Sequence, residues 1–212
     1  MGFEGCMLIL CSNGLSSDNV KHELKKYLSD DNTSAALVIT ADNIYKAENY
    51  HVARCIDELK DLGLHVDIID IDVSPCEELL KYSVVEFIGG NPFYLLESIR
   101  KCRGEDILRI ICRNRILIGW SAATFVFGPT LELVYKYSPE LNTVGLISMK
   151  ALALTDVEVL PHYSRYLSRF DRFEERCKEY EKENNKRVIR INDGDAVFII
   201  GDEKKIIRMS KI

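Results

Sequence analysis

Residues 116–124 read ILIGWSAAT, an apolar run that leads through Gly119 into Ser121 and then into two alanines. The apolar, partly β-branched run predicts a buried strand, and the small residues around Ser121 predict a sharp turn into a helix. A strand followed by a turn and a helix is the repeating unit of a parallel α/β sheet. A serine at such a turn projects its hydroxyl above the strand end, so Ser121 is a candidate nucleophile.

The same segment also allows a second interpretation of Ser121. Serine is a favoured N-cap residue, so Ser121 could cap the following helix without any chemical role. Ala123 also stands where the usual nucleophile-elbow pentapeptide has its second glycine. The segment alone therefore leaves a catalytic and a structural serine open.

The rest of the chain extends the strand–helix pattern in both directions. Apolar runs at 7–11, 35–40, 66–71 and 84–88 predict four more strands, all of them N-terminal to the strand that leads to Ser121. Helical patterns lie between them at 20–28, 52–62, 75–82, 92–101 and 107–113. Near-continuous apolar strands separated by helices predict a mostly parallel sheet with helices on both faces.

The C-terminal part differs in composition. A short strand is predicted at 157–160, ending at Pro161-His162, and a long charged helix from about 164 to 185. Short strands at 188–191, 196–200 and 206–209 close the chain, with tight links or hairpins at 192–195 and 201–203. Without repeats, linkers or low-complexity segments, residues 1–212 are expected to form a single domain.

Composition and charge limit the partners and the location. Lys and Arg number 28 against 33 Asp and Glu, and the net charge of -5 argues against a nucleic-acid or anionic-membrane partner. No apolar stretch approaches the ~20 residues that span a bilayer, and the first six residues, MGFEGC, lack a signal-peptide pattern. The seven scattered cysteines are expected to be reduced thiols. A cytoplasmic protein is the resulting expectation.

Two further strand ends carry polar groups. Gly89-Gly90-Asn91-Pro92 follows the strand at 84–88, and its bare N–H groups suit an anion, although a tight turn would need the same glycines. His162 follows Pro161 directly after the strand at 157–160. Ligands bind at such strand ends in parallel sheets, so His162 is the histidine with a candidate catalytic role. His51 lies in a helical pattern and is expected to be structural. No residue spacing matches a metal site, so no metal is expected.

These segments together resemble the peptidase E (aspartyl dipeptidase) group of cyanophycinase-related serine peptidases. The resemblance covers most of the chain and rests on motifs that occur in the family's order. The matching segments are 89–96 (GGNPFYLL), 119–122 (GWSA), 128–130 (GPT), 159–163 (VLPHY), 168–173 (SRFDRF) and 192–194 (NDG).

The resemblance implies a flavodoxin-like, glutamine-amidotransferase-like fold and a Ser-His-acid mechanism without a cofactor. Ser121 would attack the scissile carbonyl, His162 would carry the proton, and the N–H groups of Gly90 and Ala122 would form the oxyanion hole. The family has two positions for the acid, and Lys136 stands at one of them. Asp193 occupies the other position, and Glu132 is the reserve candidate.

The resemblance also implies a small peptide substrate. Arg169 matches the family's arginine that recognises an aspartate side chain, and Asn91 is a second candidate substrate-binding residue. An Asp-X dipeptidase is the leading hypothesis. A catalytically silent ligand-binding relative, and an amide hydrolase or acyl transferase on a non-peptide substrate, are the alternatives. The apolar loop 134–137 could join two copies, so a homodimer is a further expectation.

Overall fold

The fold is seen in a computed structural model, which describes residues 6–31 and 33–210. In these residues, nine strands follow in chain order, and they are β1 Met7–Cys11, β2 Ser34–Val38, β3 His65–Ile69, β4 Val84–Phe87, β5 Ile116–Trp120, β6 Glu158–Leu160, β7 Val188–Arg190, β8 Ala196–Ile200 and β9 Glu203–Ile207. Seven form one sheet in the order β3-β2-β4-β5-β1-β8-β9. The first five are mutually parallel, whereas β8 and β9 extend the sheet antiparallel to β1.

Helices cover both faces of this sheet, as the sequence predicted. They are α1 Asp18–Lys25, α2 Tyr50–Lys60, α3 Pro92–Lys101, α4 Gly104–Asn114, α5 Ala122–Phe127, α6 Glu132–Tyr137, α7 Tyr163–Arg169 and α8 Phe173–Asn184. Apolar residues of α1 and α2 form one core with alternate residues of β1, β2 and β5. Helices α3, α4, α5 and α8 form the other core with the intervening residues. The expected α/β flavodoxin-like architecture is confirmed.

The C-terminal elements differ from their predictions. The helix expected at 164–185 is two helices, because Arg172 takes a left-handed φ of 48° and Phe170 and Phe173 stack at 5.6 Å against each other. The strand β7 pairs in parallel with β6 in a separate two-stranded sheet, so the link 192–195 is not a hairpin. The link 201–203 does join the antiparallel pair β8 and β9.

The predicted 75–82 helix is shorter and tighter than an α-helix. Residues Cys76–Lys81 form it as a 3₁₀ helix. Two pairs of cysteines lie side by side, Cys6 with Cys112 and Cys76 with Cys102, with Cα atoms 4.7 and 6.0 Å apart. The remaining three are free and buried. The expectation of reduced thiols stays a prediction.

The loop proposed as a contact between copies forms most of α6. Val134 and Tyr137 are buried in the core, so packing explains the apolar character of this segment, and the homodimer stays a prediction. Residues 1–5, which carry most of the N-terminal sequence argument, lie outside the described residues. Within 6–31 and 33–210, no helix is long and apolar enough to cross a bilayer, and no cluster of metal-binding side chains is found.

One buried polar residue interrupts the apolar core. Glu86 lies in the middle of β4, between Leu37 of β2 and Ile118 of β5, and is fully buried. Neither carboxyl oxygen has a hydrogen-bond partner among the described residues. Burial raises the pKa of Glu86 from 4.5 to about 8, the charge of Glu58 adds to this, and Arg54 opposes it. The side chain is therefore neutral at pH 7.

The raised pKa of Glu86 predicts a pH-dependent loss of stability. Between pH 4.5 and 8 the folded protein holds a proton that the unfolded chain has lost, so the free energy of unfolding falls as the pH rises. Glu86→Gln should remove this dependence, and its stability relative to wild type should grow by on the order of 2–4 kcal/mol between pH 5 and pH 8. Urea denaturation at both pH values measures the change. Glu77→Gln, at an exposed site, is the control, and identical pH profiles for the two variants would contradict the prediction.

Candidate active site

Ser121 occupies the turn between β5 and α5 in a constrained conformation. Its φ of 53° and ψ of -108° are unusual for a residue with a side chain. Its N–H donates to the Cys11 carbonyl at 3.2 Å, and the Thr124 hydroxyl lies 2.9 Å from the same carbonyl. The Ser121 side chain makes no capping hydrogen bond to α5. The geometry therefore fits a nucleophile elbow better than a helix cap.

Small residues allow the close packing around this turn. A Cβ atom on Gly119 would lie 2.5 Å from the Phe127 ring and 3.0 Å from Cβ of Ala123. Ala123 itself is fully buried against that glycine, so its methyl group fills space instead of blocking the turn. A Cβ atom on Gly89 would lie 2.9 Å from Cβ of Ser121, so β4 and β5 can end side by side only with glycine there.

Gly90 and Asn91 shape the neighbouring strand end. Gly90 has φ +151°, and an added Cβ would lie 2.2 Å from the Ala41 carbonyl oxygen, so only glycine fits. The Asn91 Oδ1 accepts from the N–H groups of Phe93 and Tyr94, and its Nδ2 donates to the Leu141 carbonyl at 2.7 Å. Because the amide is used within the protein, Asn91 fits a positioning residue better than the substrate ligand expected from sequence.

His162 and Asp193 are joined directly. Nδ1 of His162 lies 2.5 Å from Oδ1 of Asp193, although the two residues are 31 positions apart. The Ser12 hydroxyl completes the arrangement. It accepts a hydrogen bond from the backbone N–H of His162 at 2.9 Å and donates one to Oδ1 of Asp193 at 3.0 Å. With Nδ1 held by the carboxylate, Nε2 is the nitrogen left for proton exchange.

Asp193 is held in its ionised form by its neighbours. Burial by itself would raise its pKa, but the hydrogen bond and charge of His162 lower it, as do the Ser12 hydroxyl and the charge of Arg165. The net pKa is below the ordinary value for aspartate. Arg165 forms an ion pair with the second carboxylate oxygen, Oδ2. An ionised Asp193 can stabilise a protonated His162.

Ser121 and His162 both line one cleft of about 700 Å³, at the carboxyl ends of the parallel strands. Gly89, Gly90, Trp120 and the segment 41–45 contribute to the same cleft. The described residues show no hydrogen bond between the Ser121 hydroxyl and His162. Such contacts are often long before a substrate binds, so a shared cleft is the relevant geometry.

A second, smaller pocket of about 90 Å³ also borders Ser121. Gly90 and Ala122, the expected oxyanion-hole residues, both border it, and Arg169 borders it as well. Arg169 is exposed and its guanidinium lies 5.2 Å from the centre of the Phe170 ring. No carboxylate forms an ion pair with Arg169 among the described residues. Arg169, without a carboxylate partner among the described residues, therefore borders the same pocket as the candidate oxyanion-hole residues.

Glu132 and Lys136 lie elsewhere. Glu132 is exposed at the start of α6, and no contact joins it to His162 in the described part of the chain. Lys136 forms an ion pair with Glu183, and its ammonium lies 5.6 Å from the Tyr180 ring. The geometry therefore favours Asp193 over Glu132 as the acid, and it keeps Lys136 away from the candidate site.

Three residues of the site were missed from sequence. Ser12 and Arg165 contact Asp193, and His51 borders the cleft with its ring 5.3 Å from Trp120. Burial lowers the pKa of His51, and the charges of Arg54, Arg165 and His162 lower it further. The position of Ser12 directly after β1 is a usable signal, because that strand end faces the cleft. His51 carries no such signal, since its helical pattern says nothing about which loop it meets.

Comparisons with known proteins bear on the family and on the fold. The sequence profile of peptidase family S51 matches residues 8–207. An uncharacterized peptidase of Listeria monocytogenes is 28% identical over 159 residues, which make up 72% of this chain and 75% of the relative. The peptidase E of Nostoc sp. is 25% identical over 145 residues, 68% of this chain and 58% of the relative. A solved structure from Listeria monocytogenes EGD-e shares the fold, with a TM-score of 0.76 at 24% identity over 97% of this chain and 99% of that chain.

The contacts of Ser12 predict a measurable structural role. Ser12 is fully buried, and Ser12→Ala removes its hydroxyl. The backbone N–H of His162 then loses its acceptor, and Asp193 loses one hydrogen-bond donor. The free energy of unfolding should fall by about 1–3 kcal/mol, because a buried donor loses its partner. Chemical denaturation measures the loss, with the exposed Ser16→Ala as the matched control. Equal stabilities for the two variants would show that the hydroxyl contributes nothing.

Proposed function

The chain belongs to peptidase family S51, and we propose that it is a serine peptidase of short peptides in which Ser121, His162 and Asp193 form the catalytic triad. The observation that carries this proposal is the strained Ser121 turn, which shares a cleft with a histidine oriented by an ionised carboxylate. Ser121 lies in the middle of the chain, and His162 and Asp193 lie in its C-terminal part. Their meeting at one sheet edge is what a hydrolase requires.

The proposed reaction uses these groups in sequence. Nε2 of His162 takes the Ser121 proton while the serine oxygen attacks the scissile carbonyl, and Asp193 stabilises the imidazolium that forms. The N–H groups of Gly90 and Ala122 receive the developing oxyanion. His162 then gives its proton to the leaving amine, and water hydrolyses the acyl-enzyme by the same route. Side chains of this chain and water supply every step.

The small pocket supports an acidic residue on the acyl side of the cut bond. At about 90 Å³ it suits a short side chain, and Arg169 borders it with no carboxylate partner of its own. A guanidinium binds a carboxylate through two parallel hydrogen bonds. We therefore propose Asp-X dipeptides as the substrate class. The apolar residues Phe125 and Phe170 also border this pocket and limit its width.

Ser121 and Asp193 variants test the triad. An active-site fluorophosphonate should label the wild-type protein, and Ser121→Ala should abolish both labelling and Asp-Ala hydrolysis. Asp193→Asn should lower kcat by about 10³–10⁴-fold, because His162 loses its orienting carboxylate. Asp202→Asn, at an exposed turn, is the matched control and should keep wild-type kcat. Labelling that persists in Ser121→Ala would exclude Ser121 as the nucleophile.

Arg169 is tested through specificity. Arg169→Gln should reduce kcat/KM for Asp-Ala by about 10²-fold or more, since a paired charge is lost, and should raise the relative rate for Asn-Ala. Arg113→Gln, an exposed arginine on α4, serves as the control. Steady-state kinetics with the two dipeptides measure the ratio. An unchanged Asp-Ala to Asn-Ala ratio in Arg169→Gln would remove Arg169 from substrate recognition.

A further inference from the structure

Three large apolar side chains, two in the loop between β2 and α2 and one at the start of α2, are exposed to solvent. Ile44 is 75% exposed, Tyr45 62% and Tyr50 82%. Single exposed apolar residues are ordinary, but a group of three within seven positions indicates a surface that binds something. We name these three residues the apolar wall.

The apolar wall is held in place by its own segment. Oδ1 of Asp42 accepts the N–H groups of Ile44 and Tyr45 at 3.0 and 3.1 Å, and Asn49 Nδ2 lies 2.5 Å from Oδ2 of the same carboxylate. Asn49 also caps α2, because its side chain accepts the His51 N–H at 2.8 Å. These contacts fix the backbone on both sides of the wall, so its side chains are presented from an ordered loop.

All three residues of the apolar wall line the 700 Å³ cleft that contains Ser121 and His162. Trp120 lines the same cleft and adds a further aromatic ring. The wall is therefore part of the proposed catalytic cleft, and any ligand that reaches Ser121 from this side passes along it.

The position of His162 shows which half of a substrate would meet the wall. In serine-peptidase chemistry the histidine gives its proton to the leaving amine, so the leaving residue lies on the histidine side of the nucleophile. Of the two pockets that border Ser121 in the described structure, His162 borders the large cleft and not the small pocket with Arg169. The leaving residue would accordingly occupy the cleft, and the acyl residue the small pocket.

We infer that the peptidase prefers a leaving residue with a bulky aromatic or branched aliphatic side chain, which packs against Ile44, Tyr45 and Tyr50. This inference rests on the proposed function and specifies its substrate class as an acidic residue followed by a large apolar one. The volume of the cleft, 700 Å³ against 90 Å³ for the small pocket, accommodates such a side chain. Contact with the ligand removes apolar area of both partners from water, which favours binding of the bulky residue.

A dipeptide series tests the inference. For the wild-type protein, kcat/KM should be about tenfold or more higher for Asp-Phe and Asp-Leu than for Asp-Ala. In Ile44→Ala/Tyr50→Ala the Asp-Phe to Asp-Ala ratio should fall towards one. Ile110→Ala, a half-exposed isoleucine on α4, should keep the wild-type ratio and serves as the matched control. Calorimetric binding of the same dipeptides to Ser121→Ala gives a second readout that does not require turnover.

The outcomes separate this inference from the proposed function. Ser121-dependent hydrolysis without a preference for Asp-Phe would overturn the apolar wall as a subsite and leave the peptidase proposal standing. If no dipeptide is hydrolysed, the proposed function fails. Dipeptide binding to Ser121→Ala then decides whether the apolar wall is a binding surface. Tighter binding of Asp-Phe than of Asp-Ala, lost on adding Ile44→Ala and Tyr50→Ala, supports the wall. Equal affinities, or no binding of either dipeptide, overturn it.

Discussion

The carboxyl end of β1 is the structural element on which the candidate site depends. The Cys11 carbonyl accepts hydrogen bonds from the Ser121 N–H and the Thr124 hydroxyl, and these contacts hold the turn after β5. The hydroxyl of the next residue, Ser12, accepts a hydrogen bond from the backbone N–H of His162 and donates one to the Asp193 carboxylate. Two consecutive residues thus position the candidate nucleophile on one side and His162 with Asp193 on the other. Both residues are fully buried, so neither can shift without disturbing the sheet.

The mixed sheet gives β1 this role. Its parallel neighbour β5 ends directly before Ser121, and its antiparallel neighbour β8 begins directly after the turn that contains Asp193. The Ser12 N–H also donates to the Asp195 carbonyl, which fixes that turn against the strand end. An antiparallel strand beside β1 therefore brings the C-terminal part of the chain to the edge where parallel α/β sheets bind ligands.

Two pockets of unequal size border Ser121. Arg169 and the candidate oxyanion donors border the small one, while His162 and the apolar wall border the large one. Close packing explains why glycines occur at this strand end, because the atoms around Gly89 and Gly90 leave no room for a Cβ atom. Glu86, whose pKa is raised by burial, lies in the same sheet on β4.

The sequence by itself determined the alternation of apolar strands and amphipathic helices, the turn at Ser121 and the strand end at His162, because these features depend on local periodicity and small residues. Only the tertiary structure placed Asp193, and not Glu132, against His162, brought Ser12 and Arg165 into contact with Asp193, and placed His51 and the apolar wall in the cleft. It also divided the predicted C-terminal helix, where Phe170 and Phe173 stack around an arginine in a left-handed conformation. The physical reason is distance along the chain: Ser12 is 150 positions from His162 and 181 from Asp193, and no local pattern records a contact made across the sheet.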